Sequence, residues 1–468
     1  MKKYDVIIVG AGPAGIFAAL ELVEKNAKIL IVEKGRDISK RHCYSAANQT
    51  ACINCNPCDI VCGWGGAGAF SDGKLTLTTE FGGMLDTYID NDEFTKLINY
   101  IDSIYLKFGA TPIVYGLENQ EMIRELQQKS AAADLKFIPA VIRHLGTEKC
   151  GEILGRMYSY LKEKCEILTL TQVERILTNQ NDKKISLEEI EYKGIQLADG
   201  TVIESDYLVV SPGREGSEWF SKETSKLGLD SETNPVDIGV RVEVPAVITE
   251  KITEAVYESK LIYYTKSFDD RVRTFCMNPY GVVSTENNSG LITVNGHSYL
   301  ERKTQNTNFA ILVSKSFTEP FKEPIMYGKS IAKLANLLGG GVIVQRLGDL
   351  KDGRRSTVDR IKRGLVEPTL KDATPGDLSL VLPYRHLLAI EEMLTALDII
   401  IPGVNSRHTL LYGVEAKFYS SRPRLTNKLE TQIKNIFAIG DGAGVTRGLA
   451  QASCTGVIVG REILERYS

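Results

Sequence analysis

The sequence lacks a surplus of charge of either sign. Lysine and arginine total 56 residues against 59 aspartates and glutamates, which leaves a formal net charge of −3 over 468 residues. A chain without excess positive charge has no general means of neutralising phosphates. We therefore expect no nucleic-acid partner and no attachment to an anionic membrane surface.

Long apolar runs are also missing. No stretch reaches the roughly 18–20 uninterrupted apolar residues that a membrane-spanning helix needs. The apolar run after Met1-Lys-Lys is too short for a secretory signal and breaks into a glycine motif. We expect a soluble, cytoplasmic protein, and the hydrophobic fraction of 43% suffices for one large core or two domains.

A glycine motif near the start of the chain lies between a predicted strand and a predicted helix. Residues 5–9 are a predicted strand whose last four residues are β-branched and apolar, Gly10-Ala-Gly12-Pro13-Ala14-Gly15 follows, and residues 16–25 have the pattern of a helix. In a dinucleotide site the first glycine makes the tight turn, the second lets a pyrophosphate approach the backbone, and the third lets the helix pack on the strand. The helix N-terminus then points at the phosphates.

A second predicted strand, residues 27–32, ends at Glu33 and is followed by Lys34. The acid lies about twenty residues after the glycine motif, where a carboxylate can accept hydrogen bonds from an adenosine ribose. A glycine-rich turn alone also occurs without a nucleotide. The order of strand, motif, helix, strand and acid favours a nucleotide site.

The C-terminal region carries a complementary motif. Residues 435–444 form a short apolar run into Gly440-Asp441, and a helix is predicted from about Gly448 to Arg466. This resembles the second FAD motif of the glutathione-reductase-like flavoprotein superfamily, where the matching Asp holds the ribityl or phosphate end and the helix points its N-terminus at the flavin. The resemblance implies that FAD is bound by Gly440, Asp441, Gly448, Leu449 and Ala450.

The segment between these motifs resembles the connecting motif of the same superfamily. It ends in Ser211-Pro-Gly213, where Ala-Thr-Gly is usual, and the analogy makes Val173 the adenine contact. No second strand, GxGxxG and helix unit follows, because Gly339-Gly-Gly341 has the pattern of a helix C-cap and turn. A dedicated NAD(P)H domain is therefore not expected.

Further motifs identify the chain as a member of the uncharacterised FAD-dependent dehydrogenase family of bacteria and archaea. The matches span nearly the whole chain, although Asn278 stands where the family suggests cysteine; they are residues 65–74, 143–147, 236–241, 274–279, 294–296, 375–377 and 415–418. The resemblance implies FAD and a dehydrogenase-like or reductase-like reaction, but no particular substrate.

The glycine-rich segment between Gly63 and Gly73 has its own chemistry. A backbone with so many glycines can come close to a flat ligand, and its free amides can cradle an anion. We expect this segment to contact the flavin or its phosphates, with a flexible surface loop as the alternative; the residues concerned are Gly65, Gly66, Gly68, Ser71 and Lys74.

Cysteines are crowded just before that segment. Cys52, Cys55, Cys58 and Cys62 have the spacing C-x2-C-x2-C-x3-C, as in ferredoxins that bind a [4Fe-4S] cluster. The first three are predicted ligands, and Cys43 competes with Cys62 for the fourth position, with the family resemblance favouring Cys43. A structural zinc site and a redox-active dithiol are the alternatives.

The predicted fold class is α/β, with a Rossmann-type, three-layer FAD-binding domain assembled from residues 1–84, 148–213 and 406–468. A helical segment is expected at residues 85–147 and an inserted mixed α+β substrate domain at residues 214–405. Ligands favour domain interfaces. The polar residues that could line such a cleft are Arg241, Asn295, His297, Arg354, Arg355, Tyr412, Glu415, Lys417 and Arg422.

Two of these residues are candidate catalytic groups. His297 is the candidate acid or base, because histidine titrates near neutrality, and Arg422 could bind a substrate carboxylate in bidentate fashion. The predicted function is an FAD-dependent oxidoreductase of a small organic substrate, with the cluster relaying electrons to or from a carrier such as ferredoxin. A flavin dehydrogenase with structural zinc, a thiol–disulfide oxidoreductase and a non-enzymatic redox sensor remain alternatives.

Overall fold

The fold is given by a computed structural model. It describes residues 3–44, 53, 55–71, 73–180, 186–256, 258–288, 290–298, 303–317, 321, 323–418 and 422–467. In chain order the helices are α1 (Pro13–Leu22), α2 (Asn91–Lys107), α3 (Gln120–Ala132), α4 (Thr147–Lys162), α5 (Ser217–Lys226), α6 (Glu250–Ala255), α7 (Pro324–Gly339), α8 (Leu347–Lys351), α9 (Val358–Lys362), α10 (Tyr384–Ile400) and α11 (Leu449–Tyr467).

Short strands alternate with these helices over most of the chain. They are β1 (Lys3–Val9), β2 (Ile29–Val32), β3 (Lys74–Thr76), β4 (Leu135–Pro139), β5 (Ile142–His144), β6 (Glu166–Leu168), β7 (Val173–Thr178), β8 (Tyr192–Leu197), β9 (Val202–Val210), β10 (Ser231–Glu232), β11 (Val236–Pro245), β12 (Ser259–Tyr264), β13 (Arg271–Asn278), β14 (Val282–Asn288), β15 (Leu291–His297), β16 (Asn306–Lys315), β17 (Ile343–Arg346), β18 (Thr374–Pro375), β19 (Leu410–Lys417), β20 (Arg422–Pro423) and β21 (Ile436–Ala438).

The chain divides into two compact units. Unit 1 comprises residues 1–113, 143–234 and 420–468, and unit 2 comprises residues 114–142 and 235–419. Within the part of the chain that the structure describes, no helix combines the length and the apolar character needed to cross a membrane.

Unit 1 is built on one sheet whose strand order is β6-β2-β1-β9-β8-β7, with β21 pairing with β9. β1, β2, β6, β9 and β21 run parallel, and the hairpin of β7 and β8 is antiparallel. The runs of valine and isoleucine in β1 and β2 are buried on both faces, as a covered parallel sheet requires. The predicted α/β class with a Rossmann-type parallel sheet is confirmed.

Helix α11 packs directly along α1 in unit 1. The contact depends on Gly456, where a Cβ atom would lie 2.2 Å from the carbonyl oxygen of Ala14. Gly460 meets α1 one turn further on, with a Cβ position 2.7 Å from the Cβ of Glu21. Two glycines on one face of α11 therefore let the backbones of the two helices touch.

Unit 2 contains a second, mostly antiparallel sheet, in the order β18-β17-β19-β11-β16-β13-β12-β4. Only β17 and β18 run parallel within it. Its long central strands β11 and β16 are buried along nearly their whole length, and helix α10 contributes a row of buried apolar residues to the same core.

The bounds of the units differ from the expected domains in three places. Residues 214–234, which carry α5 and β10, were expected in the substrate domain, but they belong to unit 1. Residues 406–418 were expected in the FAD-binding domain, but β19 is an inner strand of the sheet in unit 2. Residues 85–147 were expected to be one helical segment, but the structure divides them between the units after Ile113, and β4 joins the sheet of unit 2. Pro139 at the end of β4 cannot continue a helix, which accounts for the extended conformation there.

His386 is buried in α10, and its two ring nitrogens lack hydrogen-bond partners among the described residues. The residue is 1% exposed. Its ring lies 6.2 Å, centroid to centroid, from that of Tyr327. Burial lowers the pKa of His386 to about 4; Lys315 and Arg385 act in the same direction and Asp270 acts against them.

We expect the protein to lose stability as the pH falls from about 6.5 towards 4. An unfolded histidine binds its proton near pH 6.5, whereas His386 in the folded protein does so near 4. In this window the unfolded state takes up the proton first, so the free energy of unfolding should fall by up to about 1.4 kcal/mol per pH unit. Urea denaturation between pH 4.5 and 7.5 measures this slope.

The substitution His386→Phe should remove most of that slope, because it replaces the imidazole with an aromatic ring that does not titrate. His42→Phe is the matched control, since His42 is exposed. If the slope persisted in His386→Phe, the acid sensitivity would have to come from another group.

Candidate functional site

The glycine turn after β1 packs against β9 through bare backbone. A Cβ atom on Gly10 would lie 2.1 Å from the carbonyl oxygen of Ser211, and one on Gly15 would lie 2.1 Å from the carbonyl oxygen of Gly10. The Ser211 hydroxyl donates to the carbonyl oxygens of Val9, at 2.9 Å, and Gly10, at 2.8 Å. Ser211 stands where alanine is usual, and its hydroxyl ties β9 to the turn.

Gly12 differs from the other two glycines of the motif. Apart from its chain neighbours, no described atom lies within 4 Å of the position that a Cβ atom on Gly12 would take. Gly12 is the N-cap of α1 and Pro13 is its first residue. The amides of the first helical turn have no partners within the helix, and they adjoin this open space, which is the arrangement that binds phosphate groups.

Glu33, at the end of β2, joins three segments of backbone. One carboxylate oxygen accepts a hydrogen bond from the Ala11 amide at 2.8 Å, and the other accepts from the amides of Gly35, at 2.8 Å, and Gly63, at 2.9 Å. The side chain is buried. A carboxylate has about four acceptor sites, so Glu33 can still accept one bond from a ribose hydroxyl. The sequence motif predicts only the ribose as a partner of Glu33, and these contacts with the backbone leave no signal in the sequence.

The glycine-rich segment lies directly on the turn of the first motif. The Gly65 amide donates to the carbonyl oxygen of Ala11 at 2.7 Å. A Cβ atom on Gly66 would lie 3.2 Å from the Cα atom of Gly12. The segment is therefore placed beside the space at Gly12, as expected of a ligand-contacting segment.

Gly68 brings two helix N-termini together. A Cβ atom on Gly68 would lie 2.5 Å from a methyl carbon of Leu449 and 3.4 Å from Cγ of Pro13. Pro13 is the first residue of α1 and Leu449 is the first residue of α11. Both helices thus present their positive ends around the same short stretch of bare backbone.

Ser71 and Lys74 close the segment. The Ser71 hydroxyl donates to the carbonyl oxygen of Gly68 at 2.9 Å and accepts from the Gly73 amide at 3.2 Å. Lys74 begins β3. The hydroxyl of Ser71 therefore holds the turn, and its expected position near the flavin or its phosphates stays a prediction.

Asp441 follows β21 and is held inside the second motif. Its carboxylate accepts a hydrogen bond from the Thr446 hydroxyl at 2.7 Å. Burial raises the pKa of Asp441, while the positive charge of Arg214, the bond from Thr446, the charge of Arg447 and the amide of Gly448 act against that rise. The carboxylate thus lies in a polar, positively charged corner that suits a hydroxyl-bearing ligand.

The connecting motif packs on the second motif through Gly213 and Gly442. A Cβ atom on Gly442 would lie 2.2 Å from the carbonyl oxygen of Gly213. Gly448 resembles Gly12, because no described atom lies within 4 Å of its Cβ position apart from its neighbours in the chain. Open space therefore adjoins the N-terminus of α11 as well as that of α1.

The predicted adenine contact lies at the start of β7. Val173 is buried, and two residues before it the amide of Thr171 donates to the carbonyl oxygen of Glu33 at 3.0 Å. This bond places the start of β7 beside the end of β2. Lys34, next to Glu33, lies 3.5 Å from a carboxylate oxygen of Glu215 in a weak surface ion pair.

The cysteine segment is organised around the guanidinium of Arg41. This group donates to the carbonyl oxygens of Asp59, at 2.9 Å, Ile60, at 3.0 Å, and Trp64, at 2.6 Å. Arg41 is itself buried. One cation therefore fixes the backbone that leads from the cysteines into the glycine-rich segment, a role that the sequence pattern did not reveal.

The cysteines themselves differ in exposure. Cys62 is buried, Cys43 and Cys58 are half-buried, and Cys55 is exposed, while Cys52 lies outside the described residues. Burial raises the pKa of the Cys62 thiol to about 12 and also raises that of Cys58. Among the described residues, no three histidine, cysteine or acidic side chains come together in a group that could hold a metal ion. The described donors therefore do not form the predicted cluster site.

Arg422 has a protein carboxylate as its partner. Its guanidinium pairs with Glu232, lies 3.6 Å from the sulfur of Met84 and stacks near the ring of Tyr88. The pairing joins β20 to β10 within unit 1. The candidate carboxylate-binding group is thus already occupied by an acidic side chain, which is 61% exposed.

Unit 2 holds the remaining candidates. Arg241 and Glu415 form a fully buried bidentate ion pair, with N–O distances of 2.7 and 2.8 Å, and Lys417 reaches Glu415 at 3.2 Å. Tyr412 is buried as well and donates to Glu243. Arg241, Glu415 and Tyr412 therefore belong to the core of unit 2. His297 is exposed at the end of β15.

Two protein-family models match separate parts of the chain. The model described as "Pyridine nucleotide-disulphide oxidoreductase" matches residues 4–51, which include the first glycine motif and Glu33. The model described as "FAD-dependent protein, C-terminal domain-like" matches residues 235–418, nearly all of the second segment of unit 2.

Individual proteins also resemble the chain. An uncharacterized protein of Clostridium beijerinckii is 28% identical over 497 aligned positions, covering 99% of this chain and 81% of that protein. The solved structure of a formate oxidase of Aspergillus oryzae is 12% identical, with a TM-score of 0.47 and coverage of 100% and 99%. That of L-proline dehydrogenase from P. horikoshii is 11% identical, with a TM-score of 0.42 and coverage of 99% and 94%.

The two family models match parts of the chain that lie in different units. One covers the strand, glycine turn, helix and acid of the predicted nucleotide site, and the other is described by its resemblance to the C-terminal domain of FAD-dependent proteins. Residues 4–51 are thus similar to pyridine nucleotide-disulphide oxidoreductases, and residues 235–418 are similar to FAD-dependent proteins.

Proposed function

We propose that unit 1 holds FAD across the N-termini of α1 and α11, and that the protein exchanges a hydride or two single electrons with a small organic substrate. The observation that carries this proposal is the meeting of both helix ends at Gly68, with open space at Gly12 and at Gly448. Two positive helix ends beside bare backbone suit a ligand that is anionic at its centre and flat at one end.

Different residues around this space are proposed to bind different parts of the cofactor. The backbone amides of Gly12, Ala14 and Gly15, with Pro13 as the first residue of α1, supply one helix N-terminus for the pyrophosphate, and Glu33 keeps one acceptor site for the adenosine ribose. Asp441 is the partner for the ribityl or phosphate end. The remaining proposed contacts are Gly10, Lys34, Gly65, Gly66, Gly68, Ser71, Lys74, Val173, Gly213, Gly440, Gly448, Leu449 and Ala450.

Bound FAD supplies the redox chemistry, and the protein supplies orientation and field. The N-terminus of α11 presents unpaired amides and a positive dipole end, which favours negative charge on a ring placed against it. The glycine-rich segment packs against this turn, since a Cβ atom on Gly66 would lie 3.2 Å from the Cα atom of Gly12.

For the substrate, His297 is the proposed acid or base, and its exposure leaves the ring accessible to a small molecule. Arg422 is the proposed carboxylate-binding group, and a substrate would have to compete with the exposed carboxylate of Glu232. Both roles rest on residue type and position in the sequence.

We also propose, on the spacing of the cysteines, that Cys52, Cys55 and Cys58 bind a [4Fe-4S] cluster and exchange electrons with a carrier such as ferredoxin in a reducing, cytoplasmic setting. Burial of Cys62 favours the more accessible Cys43 as the fourth ligand. The flavin reaction proposed for unit 1 does not depend on this cluster.

The purified protein should be yellow and should release FAD, not FMN, on denaturation. The first glycine motif, Glu33 and Val173 are arranged for an adenosine diphosphate moiety, which FMN lacks. Chromatography of the released flavin distinguishes the two cofactors. FMN as the sole product, or no flavin after reconstitution, would contradict the proposal.

The substitution Asp441→Ala should weaken FAD binding by roughly tenfold to hundredfold, the effect of losing a charged hydrogen-bond partner worth about 1.5–3 kcal/mol. Fluorescence titration of the apo-protein measures the affinity. Asp206→Ala is the matched control, because Asp206 is half-exposed and pairs with Lys3 at the protein surface. Equal affinities in the two folded variants would remove Asp441 from the site.

Serine substitution at any one of Cys52, Cys55 and Cys58 should abolish most of the iron and acid-labile sulfide of anaerobically purified protein and leave FAD bound. The flavin is retained because its proposed contacts lie in other segments. Substitution of Cys43 and of Cys62, one at a time, then identifies the fourth ligand, and we expect Cys43. Stoichiometric zinc, or a disulfide without metal, in the wild-type protein would end the electron-relay proposal.

A further inference from the structure

A short basic segment of unit 2 departs from the charge balance of the chain. Residues 351–363 contain six lysines and arginines and two aspartates, whereas the whole chain carries a formal net charge of −3. The segment begins at the last residue of α8 and ends just after α9. Cations concentrated in so few residues create a local positive potential that the total charge conceals.

Most of these cations lack an acidic partner. Arg354 forms salt bridges with Asp349, at 3.0 Å, and with Asp352, at 2.9 Å. The other lysines and arginines of the segment form no salt bridge with any residue that the structure describes. Their positive charge is therefore not neutralised within this part of the protein.

Four of them are held close together by α9 and its flanking backbone. Arg360 donates to the carbonyl oxygen of Arg355 at 2.8 Å, and Arg363 donates to that of Asp359 at 3.3 Å. Arg355 and Lys362 are exposed, and their side chains form no hydrogen bond with a described residue. The side chains of Arg355 and Lys362 can therefore move to meet a ligand at no cost in internal contacts.

Two apolar side chains lie among these cations. Val358, the first residue of α9, is 54% exposed, and Leu365, just beyond the helix, is 76% exposed. Val358 lies one helical turn from Lys362. The amide of Gly364 donates to the carbonyl oxygen of Ile361 at 2.8 Å, which keeps Leu365 beside the end of the helix. We call the following residues the basic patch: Arg355, Val358, Arg360, Lys362, Arg363 and Leu365.

The composition of the basic patch favours a protein over a nucleic acid or a membrane as its partner. Residues 351–370 include no aromatic side chain on which a base could stack. Two apolar side chains are too few to bury a helix face in a membrane interface. Arginines around exposed apolar groups are, by contrast, typical of surfaces where two proteins meet.

We propose that the basic patch binds an acidic, leucine-bearing segment of a partner protein. Carboxylates of the partner pair with Arg355 and Lys362, and its apolar side chains cover Val358 and Leu365. Complementary charge guides the encounter, and the apolar contact adds affinity that charge alone does not supply. This inference concerns unit 2 and does not depend on the proposed binding of FAD.

The test is fluorescence anisotropy of short labelled probes with the full-length protein. One probe is a peptide of Glu-Glu-Leu repeats, the second has serine in place of leucine, and the third is a thymidine oligonucleotide of the same length. Wild-type protein should bind the leucine peptide at least about fivefold more tightly than the serine peptide, because only leucine covers the apolar groups. Added salt should weaken both complexes.

Substitutions in the basic patch should separate charge from apolar contact. Arg355→Gln combined with Lys362→Gln should weaken binding of the leucine peptide by about threefold to tenfold, the effect of losing two exposed ion pairs. Leu365→Ser should remove most of the preference for leucine and leave the serine peptide within about twofold of its wild-type affinity. Asp359→Asn, which removes an acid beside the patch, should strengthen binding by about twofold.

The matched control is Lys96→Gln combined with Lys107→Gln. Both lysines are exposed on α2 of unit 1, so the double variant loses the same charge from a different surface. Its affinity for either peptide should stay within about twofold of wild type, because surface charges act mainly over a Debye length.

Equal weakening by the two double variants would overturn the inference, because the peptide would then respond only to net charge. Equal affinity of wild-type protein for the two peptides, or no binding of the leucine peptide, would reject it as well. Tighter binding of the oligonucleotide than of the leucine peptide would identify a nucleic-acid surface instead.

Discussion

The site in unit 1 depends on the carboxylate of Glu33. A buried charge is stable only if it is paired or hydrogen-bonded, and Glu33 meets that requirement through three backbone amides at 2.8–2.9 Å. Those amides belong to the first glycine turn, to the turn after β2 and to the start of the glycine-rich segment. One side chain thus fixes the relative positions of three loops that otherwise contribute few side chains of their own.

The glycines, which have no side chains, are the second constraint on the packing of this region. The turn after β1 touches β9 at Gly10 and touches its own helix at Gly15, whereas Gly12 and Gly448 face open space. Because the first pair is packed, the second pair is left as the accessible surface at two helix ends. A ligand bound there would meet amides and dipoles that are already oriented, which is the condition for strong electrostatic stabilisation without reorganisation.

The local part of this arrangement could be predicted from the sequence, and the long-range part could not. The order of β1, glycine turn, α1, β2 and Glu33 follows from the hydrophobic pattern and the glycine motif within the first 33 residues. The bond from Gly63 to Glu33 requires a loop to close over thirty residues, and no pattern in the sequence records it. β19 is buried along almost its whole length, so its apolar run suits either sheet, and it was expected in the wrong unit. The cluster suggested by the cysteine spacing stays a prediction, because the described thiols do not by themselves form a metal-holding group and Cys52 lies outside the described residues.

Helix α11 connects the site to the core of unit 1. Its first residue, Leu449, lies against Gly68. Two turns later, Gly456 touches the backbone of α1 at Ala14, which is only two residues after Gly12. The separation of the two helix ends is therefore set by a backbone contact between the helices and not by flexible side chains. Close-packed interiors deform little, so this contact would keep the two helix N-termini at a constant separation for any ligand proposed to bind to both.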